Sequence, residues 1–116
     1  MDTVLVVEDE PLIAWNVEDE LTEAGYKVLV AANANQAISL LEARSEIATV
    51  FTDIDMPGTI NGLELAACVS RRWPPIRIII TTGKTPPDRT EMPKGSTFLP
   101  KPYLMHQVRN AIEAAA

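Results

Sequence analysis

Apolar residues fall into short runs that alternate with stretches of helical periodicity. Val4-Leu5-Val6-Val7 is apolar at every position and stops at Glu8-Asp9, which predicts a strand covered on both faces. Pro11 suits the first position of a helix. Ala14, Val17, Leu21 and Ala24 then recur at helical spacing, Glu18, Asp19, Glu20 and Glu23 form the wet side, and Gly25 is the stop. The alternation continues with a strand over Tyr26 to Ala31 and a helix over Asn35 to Arg44, with Ala37, Leu40 and Leu41 inward. A third strand over Ala48 to Thr52 ends at Asp53. A loop over Gly58 to Gly62 leads into a helix over Leu63 to Arg72, with Leu65, Ala66 and Val69 inward, closed by Pro74-Pro75. Ile76 to Thr81 is the clearest strand, Ser96 to Leu99 a weak fifth one, and Tyr103 to Ala115 a last helix with Leu104, Val108, Ala111 and Ile112 inward.

Strands alternating with helices predict a parallel sheet covered on both faces. Five of them fit a flavodoxin-like doubly wound sheet of order 2-1-3-4-5. The helix expected between the fourth and fifth strands is short or absent. Pro86, Pro87 and Pro93 leave room for about one to one and a half turns, around Asp88 to Met92, because proline disfavours helix in its own interior position and in the residue before it.

The length of 116 residues suits one domain, residues 1–116. Cys68 is the only cysteine, so an internal disulfide is excluded. No apolar run approaches the ~18 residues that span a bilayer, and the first residues lack the basic start of a secretion signal. The expectation is a cytoplasmic protein without a membrane partner. Sixteen acids against ten Lys and Arg give a net charge of −6, which argues against nucleic acid and permits bound cations.

Ligands of open α/β sheets bind beyond the carboxyl ends of the strands, near the point where strand order reverses. Strand 1 ends at Glu8-Asp9, strand 3 at Asp53, strand 4 at Thr81-Thr82-Gly83, and strand 5 just before Lys101. Taken singly, these have plainer readings: a helix cap for Glu8 to Glu10, turn residues for Asp53 and Thr82, a solvated lysine for Lys101. His106, Trp15, Trp73 and Cys68 read as surface or packing residues. Together, three acids, a hydroxyl and an ammonium converge on one edge. Clustered carboxylates need a cation to stay ionised, and hard oxygen ligands select Mg²⁺ or Mn²⁺. Such a site suits a phosphoryl group, and a carboxylate can itself accept one; Asp53 is centrally placed for that.

The chain resembles the receiver domain of bacterial two-component response regulators. The resemblance covers essentially the whole sequence and rests on Val4 to Glu10, Phe51 to Gly58 with Gly62-Leu63-Glu64-Leu65, Ile80 to Gly83, and Phe98-Leu99-Pro100-Lys101-Pro102. It implies that a histidine kinase or phosphotransfer protein phosphorylates Asp53. It implies that Asp9, Asp53 and the backbone carbonyl of Asp55 hold Mg²⁺, with Glu8 acting through water. Lys101 would pair with the phosphoryl oxygens, Thr82 would swing in to them, Phe98 would follow as a switch aromatic, and the Lys101–Pro102 bond would be cis. The downstream protein is left unnamed, and a monomer or weak dimer is expected. The sequence departs from the family pattern in Glu8, where many members have Asp, in a slightly longer 58–62 loop, and in the missing fourth helix. That helix usually belongs to the signalling face, so onward signalling is expected to run through residues 84–99 and the last helix.

Three other readings compete. Asp53-Ile54-Asp55 after an apolar strand looks like the nucleophile motif of haloacid-dehalogenase-like phosphatases, but acids at 8–9 precede it and no cap domain fits in 116 residues. A flavin carrier would need a phosphate-binding loop where Glu8-Asp9-Glu10-Pro11 stands. A degenerate scaffold would not need the complete acid, Thr and Lys set. An excised receiver of a longer regulator or hybrid kinase would share the site chemistry.

Overall fold

The computed structural model describes residues 3–58 and 60–115. Five parallel strands, β1 (Thr3–Val7), β2 (Lys27–Ala31), β3 (Ile47–Asp53), β4 (Arg77–Thr82) and β5 (Thr97–Pro100), form one sheet in the order β2-β1-β3-β4-β5. Four helices connect or follow them: α1 (Pro11–Glu23), α2 (Ala34–Ala43), α3 (Gly62–Arg72) and α4 (Met105–Ala115). The flavodoxin-like order read from the sequence is the observed one.

Strand alternation divides the core in two, because successive side chains point to opposite faces. Val4, Val6, Phe51 and Ile79 pack with Val17 and Leu21 of α1 and Val108 and Ile112 of α4. Leu5, Val7, Val50, Ile78 and Ile80 pack with Ala34, Ala37 and Leu41 of α2 and Leu65, Ala66 and Val69 of α3. The continuous apolar runs of β1 and β4 follow from this burial on both faces. α1 ends as expected, with Gly25 at φ 100° just past Ala24, a left-handed value that favours glycine.

Two expectations need correcting. α4 begins at Met105, two residues late, and Leu104 points outward at 62% exposure. Leu104 lies in the turn before the helix, where its carbonyl accepts from the Gln107 N–H at 2.9 Å and its own N–H donates to Gln107 Oε1 at 2.7 Å. A residue outside the helix does not share its apolar stripe. Leu40 is only half-buried, at the margin of the α2 stripe.

Between β4 and β5 there is one short 3-10 turn, Arg89–Glu91, as the prolines require. Met92 follows it and packs against the α2/α3 side of the core together with Phe98. One methionine thus covers part of the sheet that a helix between β4 and β5 would cover. Among the described residues no helix is long and apolar enough to cross a membrane.

Candidate functional site

The parallel register brings the strand ends together. Val7 pairs with Thr52, Asp53 with Thr81, and Thr82 with Pro100. Glu8, Asp53 and Thr82 therefore leave the sheet side by side, and all three are buried. Lys101 follows β5 directly and is tied to β4 by its N–H, which donates to the Thr82 carbonyl at 3.0 Å. The peptide bond after it, Lys101–Pro102, is cis, as the resemblance implied.

The Lys101 ammonium bridges the acids. Lys101 Nζ donates to Asp53 Oδ2 at 2.9 Å and to Glu8 Oε1 at 3.2 Å. Asp9 is exposed, yet its carboxylate joins those of Glu8 and Asp53 in a group whose ligand atoms all lie within 4.8 Å of one another. Burial pushes the Glu8 carboxyl up; the Glu10 N–H and Lys101 oppose that shift, and the Asp53 charge adds to it. Burial alone would lower the Lys101 ammonium, but the hydrogen bond and charge of Asp53, with the charge of Glu8, hold it above the ordinary lysine range. The site is thus two buried carboxylates kept close by one ammonium, with a third carboxylate at the solvent mouth. All the donors in the group are hard carboxylate oxygens, and this donor set fits Mg²⁺ or Mn²⁺.

Asp55 and Thr82 form the other half of the rim. The Asp55 N–H donates to Asp53 Oδ1 at 3.1 Å, and Thr82 Oγ1 donates to Asp55 Oδ2 at 2.5 Å. Lys84 Nζ stands 3.9 Å from Asp55 Oδ1 on a side chain that is 79% exposed, a pair too solvated to hold much. Phe98 lies half-buried against the α2/α3 core, away from the hydrogen-bonded acids. The candidate site residues Glu8, Asp9, Asp53, Asp55, Thr82 and Lys101 thus lie at this edge, while Phe98 pairs with Ile80, two residues before the end of β4.

Two residues named in the sequence analysis without a role at the site have one here. Gly62, the first residue of α3, packs backbone to backbone against the end of β3. Its N–H donates to the Ile54 carbonyl at 3.0 Å, and a Cβ there would overlap the Asp53 carbonyl and come within 2.7 Å of Ile54 Cα. Asn61-Gly62-Leu63-Glu64 carries a readable capping box, which the structure shows as Asn61 Oδ1 accepting from the Glu64 N–H at 2.9 Å and Glu64 Oε1 from the Asn61 N–H at 3.0 Å. Tyr103 stacks edge-on against Phe51, with ring centroids 5.9 Å apart. Its phenol is pushed up to about 12 by burial.

The doubly wound order and the acidic edge define a receiver, and the sequence profile of the response regulator receiver domain matches residues 4–113. The chain belongs to this family of two-component signalling domains. It is 32% identical over 102 residues to the uncharacterized transcriptional regulatory protein YrkP of Bacillus subtilis, covering 86% of this chain and 43% of that protein. It is 30% identical over 115 residues to the DNA-binding transcriptional regulator NtrC of Salmonella typhimurium, covering 97% of this chain and 24% of that protein. The chain therefore spans less than half the length of either relative. Among solved structures, the response regulator TrrA of Thermotoga maritima, in complex with Mg²⁺ and BeF, superimposes with a TM-score of 0.88 at 27% identity, over 100% of both chains.

Proposed function

We propose that this chain is a phosphorylation-controlled switch whose phosphoacceptor is Asp53. The observation that carries the reading is the Lys101 ammonium held between Asp53 Oδ2 at 2.9 Å and Glu8 Oε1 at 3.2 Å. A cation placed there meets the charge of an arriving phosphoryl group without reorganising. The phosphoryl donor is a histidine kinase or phosphotransfer protein in the cytoplasm. The phosphorus–nitrogen bond of its phosphohistidine breaks as a phosphorus–oxygen bond to Asp53 forms. Asp9, Asp53 and the Asp55 carbonyl would hold Mg²⁺, with Glu8 acting through water, and the ion when bound supplies further charge neutralisation for the phosphoryl oxygens. Lys101 stays with those oxygens, and Thr82 donates to them once its hydroxyl turns inward.

The test pairs two substitutions. Asp53→Asn should abolish labelling by acetyl phosphate in Mg²⁺ while leaving the fold intact. Asp9→Ala should weaken Mg²⁺ binding, followed by calorimetry, and slow labelling. Undiminished labelling of Asp53→Asn would reject the assignment, and unchanged Mg²⁺ affinity in Asp9→Ala would leave Asp9 outside the metal set.

Signalling follows from the missing helix. The segment from Lys84 to Gly95 is mostly exposed and anchored mainly by Met92 and by the short turn at Arg89–Glu91. Segments with few buried contacts open easily. Phosphorylation is therefore expected to reorder residues 84–95, and a downstream protein reads the result together with Phe98 and α4. Amide hydrogen exchange with and without beryllofluoride is the check. Strong protection across 84–95 in the free protein, unchanged by the mimic, would show that the switch lies elsewhere.

A further inference from the structure

The Thr82 hydroxyl has one proton, and that proton is committed to Asp55. Thr82 Oγ1 donates to Asp55 Oδ2 at 2.5 Å and accepts from the Lys84 backbone N–H at 3.1 Å. A hydroxyl has a single donor, so the donor capacity of Thr82 is full. Both residues are held by their backbones. The Thr82 carbonyl accepts from the Lys101 N–H at 3.0 Å, and the Asp55 N–H donates to Asp53 Oδ1 at 3.1 Å. Thr82 is also 2% exposed, and its hydroxyl changes partner by rotation about the Cα–Cβ bond.

We propose that Asp55 is a positioning residue whose carboxylate parks the Thr82 hydroxyl, so that a phosphoryl group on Asp53 must take the Thr82 proton from Asp55 before Thr82 can stabilise it. The inference rests on Asp53 being the phosphoacceptor. Two anionic acceptors then compete for one proton. An O–H···O⁻ bond is among the stronger hydrogen bonds, so the competition sets a threshold for switching. The same carboxylate also repels an arriving phosphoryl anion. The two effects are separable, because repulsion does not depend on the Thr82 hydroxyl and the latch does. Lys84 adds little, since its ammonium is solvated and 3.9 Å away.

A double-mutant cycle on the full chain makes the separation. Mg²⁺-dependent beryllofluoride binding is measured by fluorine NMR for the unaltered chain, Asp55→Ala, Thr82→Val and the double variant. Asp55→Ala is expected to tighten binding about tenfold when Thr82 is present, the scale of one charge-assisted hydrogen bond exchanged for another. Beside Thr82→Val the gain should fall to about twofold, leaving only the relief of repulsion. Asp55→Asn, which keeps an acceptor oxygen in place, should fall between the two and provides a variant of nearly unchanged shape. Three-bond scalar couplings of Thr82 in the free protein give a readout independent of any phosphoryl mimic. They should report one side-chain rotamer in the unaltered chain and an averaged one in Asp55→Ala. Equal gains in the two Thr82 backgrounds, or a Thr82 rotamer indifferent to Asp55, would overturn the latch while leaving the acceptor role of Asp53 standing. An unaltered chain that neither binds beryllofluoride nor takes phosphoryl from acetyl phosphate would overturn the reading of Asp53 and the latch with it.

Discussion

Gly62→Ala is expected to destabilise the protein by about 3 kcal/mol or more and to remove most of its capacity to be phosphorylated. The added Cβ would collide with the Asp53 carbonyl oxygen and carbon and with Ile54 Cα. All of these are backbone atoms at the end of a central strand, so no side chain can swing aside. Overpacking typically costs about 1–3 kcal/mol where side chains can adjust, and a backbone collision belongs at or beyond the upper end. Relief would require α3 to move off β3, breaking the Gly62 N–H to Ile54 carbonyl hydrogen bond and opening the packing of Leu65, Ala66 and Val69. It would also turn the Asp53–Asp55 segment, whose orientation aims the Asp53 carboxylate at Lys101. Gly58 is the control. It has φ 108° but nothing within 4 Å of a Cβ, so Gly58→Ala meets only the backbone strain of a positive φ, about 1–3 kcal/mol. Urea unfolding of both variants, with acetyl phosphate labelling, makes the comparison. If Gly62→Ala costs no more than Gly58→Ala, the close approach of α3 to the strand end is not what holds Asp53 in place.

How much of this was legible beforehand depended on the range of the interaction. The strands and most helices were legible because periodicity is local: Val4 to Val7 and Ile78 to Ile80 read as doubly buried strands, and the structure buries them. The meeting of Glu8, Asp53, Thr82 and Lys101 was legible for a topological reason, since parallel strands present their carboxyl ends on one edge. The absence of a full helix between β4 and β5 was legible from three prolines. The role of Met92 as its partial replacement was not, because one apolar residue has no period. Leu104 misled because helical spacing continues backward past the true start of α4, and only the Gln107 cap fixes where that start lies. The close approach of Gly62 and the Thr82–Asp55 hydrogen bond were hidden for a different reason. One depends on how a loop returns α3 to β3, and the other on a rotamer chosen among several acceptors.

Lys101→Met should have the second large effect, and its dependence on divalent cations is what makes it diagnostic. Methionine keeps the apolar stem and removes the ammonium that hydrogen-bonds Asp53 Oδ2 and Glu8 Oε1. Both carboxylates are buried, with side chains about 4% and 3% exposed respectively, and the lysine side chain is 20% exposed. Breaking a fully buried pair from one side costs about 3–5 kcal/mol. The partial exposure of Lys101 brings the expected loss to about 2–3 kcal/mol in a chelating buffer, with phosphorylation lowered by about a hundredfold or more. The pH dependence should shift with it. The Glu8 carboxyl is already raised by burial, so its contribution favours folding below the ordinary carboxylate range and is lost as pH rises through its folded pKa. Without Lys101 the carboxyl rises further, and the variant should lose stability toward neutral pH more steeply than the parent. Mg²⁺ should restore part of that loss, because an ion bound only by the folded state stabilises it by mass action. Adding Glu8→Gln to Lys101→Met should recover stability even in chelator, since one of the two facing charges is gone. Thermal unfolding of the three proteins with and without Mg²⁺ decides the matter. If Lys101→Met is as stable as the parent in chelator, and Glu8→Gln brings no recovery, the ammonium is not what keeps these two acids together.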